Sequence, residues 1–243
     1  MSLFDESSVE AGHHRLASSI SGEVEVLNAA TDLICKALLA QDKPRDDPEE
    51  HARFLTISML GFRIVNGVAA TTKLLDCGYF VQAAGLCRDI AEVGMLALHF
   101  AEEPGEIAVW QKLTGKKQHE QFGPGALRRK VLDKGKIRIL DQSFKTFSDY
   151  GTHPSTASII AHHDGTHFQF FPYINEPLFI NTYKDLAVLT WRSTDACGDA
   201  YRAIFGLGVN EILPLQTKRF ADSWNGIAAG IYTDIAGDEI HLK

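Results

Sequence analysis

The stretch from about Tyr79 to Glu102 carries Val81, Ala84, Leu86, Ile90, Val93, Leu96, Leu98 and Phe100. At helical spacing these residues cover most of the circumference. A helix that is apolar nearly all round has to lie in the middle of a fold, with partners on several sides. Pro104-Gly105 stops it, and Cys77-Gly78 separates it from the helix before. A link that short makes the two helices antiparallel neighbours. The chain is therefore expected to wrap around this segment.

The partners are legible as further helical patterns. Leu16, Ile20, Val24, Leu27, Ala30, Ile34 and Leu38 recur at three- and four-residue steps, which predicts a first helix over 7–41. Asp47 is placed to cap a second helix, with Pro48 at its first position and Glu49 and Glu50 in its first turn; that helix should run to Asp76. Shorter helices are expected over Glu106–His119 and, after the Gly123-Pro124-Gly125 break, over Ala126–Tyr150. Pro154 and Gly165 frame a short helix containing Ile159 and Ile160. The aromatic-rich segment near 167–182 reads as a short β-hairpin or an extended insertion, since Pro172 and Pro177 disfavour a central strand. Helices over 182–206 and 215–236 complete the chain. With no internal repeat and no low-complexity linker, the simplest architecture is a single all-α multi-helix bundle spanning 1–243.

Composition narrows the function classes. With 45% apolar residues, 243 residues suffice for a sizeable core. The net charge of −7 argues against a broad nucleic-acid surface. The most basic window, Lys112 to Lys136, reads as a solvated helix face or loop. Cys35, Cys77, Cys87 and Cys197 form no CxxC pair, which suits reduced thiols and a cytoplasmic location. The apolar stretches are broken by polar residues, so no membrane span and no membrane partner are expected.

Chemistry-bearing residues gather in two places. Gly151 to His167 holds four of the ten histidines, His153, His162, His163 and His167, together with Asp164. Histidine titrates near neutral pH and ligates metals. His162, His163, Asp164 and His167 could supply ligands for zinc or another divalent metal, although Gly165 disfavours helical HxxxH geometry between His163 and His167. Pro154 restricts His153 to an extended conformation after the helix ending at Tyr150. Tyr150 and Ser155, on either side of His153, are ligand-binding candidates. On the central helix, Arg88 and Glu92 are four residues apart and share a face among apolar neighbours. A charged pair there must be paired or hydrogen-bonded. It reads either as an ion pair fixing helix register or as a polar site within the bundle. Nucleotide-binding loops and the GxSxG elbow are missing from the sequence.

Three segments in order carry a resemblance: Leu74-Leu75-Asp76-Cys77-Gly78, then Arg88-Asp89-Ile90-Ala91-Glu92, then Phe147 to Ser155 with His153-Pro154. The set resembles an uncharacterised bacterial all-helical family with an Arg-x-x-x-Glu helix followed by a His-Pro motif. The resemblance implies an all-α fold in which Arg88, Glu92 and His153 meet, and no established reaction. The architecture is also similar to HEPN-like helical bundles, several of which are ribonucleases. Their Arg-to-His motif has one formal match, Arg45 to His51. Its acidic neighbours would repel an RNA phosphate, so the match is read as chance.

Three functions stay open from sequence. The favoured one is a regulatory or defence-related helical module whose Arg88, Glu92 and His153 hold a small molecule or a protein partner. The second is a metal-dependent or general acid–base hydrolase using the His153–His167 cluster. The third is a HEPN-like ribonuclease acting as a homodimer.

Overall fold

The computed structural model describes residues 6–40, 47–151, 156, 159, 162–163, 167–168 and 172–237, with 229–237 described by backbone alone. The fold is an all-α multi-helix bundle. Among the described residues, β-type pairing is confined to one isolated antiparallel bridge between His163 and Phe168.

The central helix α4, Phe80–Glu102, is buried at every residue from Val93 to Phe100. Three long helices surround it: α3 (Pro48–Asp76), α8 (Lys134–Gly151) and α9 (Glu176–Phe205). Gly94 lets α9 approach closely, because a Cβ there would sit 2.5 Å from Ser193 Oγ. Ser193 in turn donates to the Ile90 carbonyl at 3.3 Å.

Helix α3 begins as its sequence dictates. Asp47 is extended, and its side chain accepts from the Glu49 amide at 3.0 Å, satisfying one of the orphan donors of the first turn. Its end is also specified. Gly78 has φ 79°, and the Gly78 and Tyr79 amides donate back to Leu75 and Leu74. A Cβ at Gly78 would lie 2.6 Å from the Tyr173 carbonyl, so packing as well as φ demands glycine. By length and composition α3 could cross a membrane, which the sequence reading did not anticipate. Here it packs against α2, α4 and α9 and leaves Leu55, Met59 and Phe62 exposed.

The expected first helix is two. Helix α1, Glu6–His14, is followed by a 3-10 turn over Ala17–Ile20 and then by α2, Ser21–Ala40. The kink swings α1 across the end of α3, where His13 is buried completely. The apolar periodicity runs through the break, so period alone could not reveal it.

The Glu106–His119 expectation likewise divides, into α5 (Glu106–Lys112) and α6 (Gly115–Phe122). Gly115, at φ 57°, provides the corner. Helix α7 (Pro124–Lys130) separates from α8 at Val131–Asp133. There the Glu102 carboxylate accepts from the Leu132 and Asp133 amides at 2.7 and 2.9 Å, and Asp133 accepts from the Lys136 amide at 2.9 Å. These carboxylates stabilise a break that the residues from 126 to 150 do not announce.

Helix α9 starts six residues before the expected 182. Asn175 caps it by accepting from the Leu178 amide at 3.0 Å, and Pro177 falls in the first turn, where its missing N–H does no harm. The hairpin or extended insertion expected over 167–182 therefore gives way to helix from Glu176 on. Gly206, at φ 73°, ends α9. The short α10, Val209–Ile212, leads into α11, Pro214–Gly237, which packs on α2. Phe220 joins Ala29, Ala30 and Leu33 in a second, smaller apolar cluster.

Candidate functional site

Arg88 and Glu92 do lie one turn apart on α4, yet each is directed to a different neighbour. Arg88 Nε donates to Ser148 Oγ on α8 at 3.0 Å, and its guanidinium lies 4.6 Å from the centre of the Phe144 ring. Ser148 itself donates to the Phe144 carbonyl at 2.7 Å. Glu92 borders a small cleft of about 180 Å³ with Arg63, Trp110, Gln118 and His119. Arg63 forms a two-pronged ion pair with Asp89, through Nε at 2.8 Å and through Nη2. That hydrogen-bonded pairing, with Glu92 adding its charge, raises the Arg63 pKa. Among the described residues there is no Arg88–Glu92 ion pair. The register reading thus takes another form, with Arg88 tying α4 to α8 and Asp89 tying α4 to α3.

His153, Ser155 and Asp164 lie outside the described residues. The last residue of α8 is tightly placed: a Cβ on Gly151 would be 2.4 Å from the Gly85 amide nitrogen, one turn before Arg88. Tyr150 is exposed there. His162 and His167 are exposed, and His163 is half-buried with its ring edge against Phe168, 5.0 Å between centroids. Among the described residues, no three His, Cys, Asp or Glu side chains gather in a way that would hold a metal ion. His51, on the first turn of α3, is exposed.

A second polar group arises where α1 crosses the end of α3 and the start of α9. His13 is fully buried. Its ring stacks on Phe179, with centroids 4.4 Å apart and planes 11° apart, and meets Phe80 edge-on. Nδ1 lies 2.9 Å from the Asp76 carbonyl oxygen. A carbonyl only accepts, so Nδ1 carries the proton and, in the neutral ring, Nε2 carries the lone pair. Nε2 is buried without a hydrogen-bond partner. The Asp76 side chain accepts from the Tyr183 hydroxyl at 2.9 Å. Burial pushes the Asp76 carboxyl above its ordinary range against the pull of that hydrogen bond, and burial beside Asp76 pushes the Tyr183 phenol up.

Surrounding contacts hold α1 in place. Lys73 pairs with Glu10 at 2.7 Å. The Tyr79 hydroxyl donates to Glu6 at 2.5 Å, and that bond leads in pushing the phenol up to about 12. His13, Asp76 and Tyr183 border a cleft of about 480 Å³ whose remaining walls are mainly apolar, among them Ile20, Val24, Leu27, Val65, Val68 and Phe179. Such a volume falls within the range of small-molecule sites, roughly 300–1,000 Å³. Another cleft, of about 240 Å³, lies between α2, α3, α9 and α11. The Cys197 thiol on its wall is pushed up to about 12 by burial and is therefore a poor nucleophile.

Sequence reasoning passed over His13, Asp76 and Tyr183. A faint signal existed: His13 falls four residues after Val9 and three before Leu16, on the apolar face of its helix. Asp76 registered only as a helix end, and Tyr183 only as the start of an expected helix, at the edge of the aromatic-rich segment.

Among the described residues, the fold is all-helical and holds a cleft of mainly apolar walls bordered by His13, Asp76 and Tyr183. Comparison with protein-family models, curated proteins and solved structures finds no match to this chain.

Proposed function

We propose that this chain is a helical binding module that holds a small, largely apolar molecule in the cleft between α2, α3 and α9. The observation that supports this best is the fully buried His13 with an unpartnered Nε2, at the edge of a cleft of about 480 Å³. A buried acceptor left unmade costs about 1–3 kcal/mol, a penalty that a bound donor relieves. The function class expected from sequence is retained, while the geometry favours a different place for the ligand than Arg88 and Glu92. Both threonines in the described lining of the cleft donate to backbone carbonyls rather than to a base, which favours binding over turnover.

Fluorescence titration with N-phenyl-1-naphthylamine, a neutral apolar dye, tests this reading. Ala69 is exposed and borders the cleft. Saturable binding by the unaltered protein, abolished by Ala69→Trp and retained by Glu92→Gln, is the expected result. Binding that is absent, or that survives Ala69→Trp unchanged, would overturn it.

A further inference from the structure

The cleft has a chemical polarity of its own. The groups at its polar border, the buried His13 and Tyr183 and the half-buried Asp76, accept hydrogen bonds and have no proton left to donate. His13 commits its Nδ1 proton to the Asp76 carbonyl, leaving Nε2 as a lone-pair acceptor. Tyr183 commits its hydroxyl proton to Asp76 Oδ1. Asp76 Oδ2 receives no hydrogen bond from a protein donor among the described residues. The nearby threonines are also spent: Thr72 donates to the Ala69 carbonyl at 3.0 Å, and Thr31 donates to Leu27 at 2.9 Å. Among the described residues that border the cleft, the exposed Asn28 and His14 keep donors available, and the charge of His14 reaches Asp76.

From this we infer that the cleft selects an apolar molecule whose head group donates hydrogen bonds, an alcohol or an amine, with that head against His13 Nε2 and Asp76. The inference rests on the cleft being the binding site. A carboxylate head would bring a second negative charge to Asp76 and offer no proton to Nε2. An ether would fill the same volume and leave Nε2 unpaired. The tail lies along Val24, Leu27, Val65 and Val68, where its burial supplies most of the affinity without discriminating among heads.

Displacement of N-phenyl-1-naphthylamine from the full chain by four ligands reads this directly. Octan-1-ol and octylamine are expected to displace the dye at concentrations about tenfold lower than 1-methoxyheptane, an ether isomeric with the alcohol. Octanoate is expected to be the weakest. His13→Phe preserves a ring against Phe179 and removes the acceptor. It should shrink the alcohol's advantage over the ether, leaving only the part that Asp76 supplies, while both still displace the dye. Equal potency of alcohol and ether on the unaltered protein would overturn the donor-head inference while leaving the binding function standing, and it needs no variant to fold. Failure of the dye to bind at all would remove both readings.

Discussion

On the α4–α8 face Arg88 finds its partners within the chain, a hydroxyl on Ser148 and the ring of Phe144. At the α1–α3–α9 end His13 is more deeply buried, and its Nε2 finds none. The first region attracts attention in the sequence because two charges interrupt an apolar helix. Folding gives Arg88 its partners within the chain, and what remains there is a structural tie between helices. The second region is inconspicuous in sequence, and there folding leaves a buried acceptor unanswered on a side chain that borders the cleft. A charge in a core pattern is thus weaker evidence for a site than a polar atom the fold fails to satisfy.

That contrast can be broken most forcefully at Phe179. Phe179→Ala removes a buried ring from beneath His13 and should lower unfolding free energy by about 3–5 kcal/mol in a denaturant titration. A loss below ~1 kcal/mol would mean that the stack does not hold the histidine. A smaller effect belongs to the other region. Ser148→Ala deprives the half-buried Arg88 of its acceptor and should cost about 1–3 kcal/mol, toward the lower end because part of the guanidinium reaches water. Dye affinity should be unchanged; a tenfold drop would show that the regions are coupled. The smallest effect sharpens the comparison through another buried histidine. His99 has unpartnered ring nitrogens, but lies against Phe100 and Phe122 and has Glu106 at 3.6 Å. Burial, helped by the charge of Lys130, holds its pKa below the ordinary 6.5. As pH falls through 6.5 the unfolded chain takes up this proton before the native one, so native stability declines below that pH. Replacing the imidazole in His99→Leu should flatten that decline in melting temperature measured between pH 7 and pH 5. An unchanged slope would assign the acid sensitivity elsewhere.

Much of the architecture was readable from local chemistry. Asp47-Pro48-Glu49 and Cys77-Gly78 bound α3 where expected, because caps and left-handed glycines act through residues adjacent in sequence. The central place of α4 followed from its all-round apolarity. The breaks at Arg15-Leu16 and at Val131 were not legible, since apolar periodicity continues across the first and a carboxylate from the distant Glu102 stabilises the second. The early start of α9 depended on Asn175, a cap hidden in a segment read as extended.

Of the candidate site, the sequence by itself determined that Arg88 and Glu92 share a helix face and must be answered by polar partners. It also determined an all-helical bundle around residues 80–102. Only the tertiary structure decided that Arg88 turns to α8 and that Asp89 turns to Arg63. It alone brought His13 to the end of α3, sixty-three residues away, and to Tyr183 across from it. Local patterns record the propensities and burial faces of neighbouring residues. Whether a buried polar atom is left without a partner depends on which helices cross, and that is settled only when they pack.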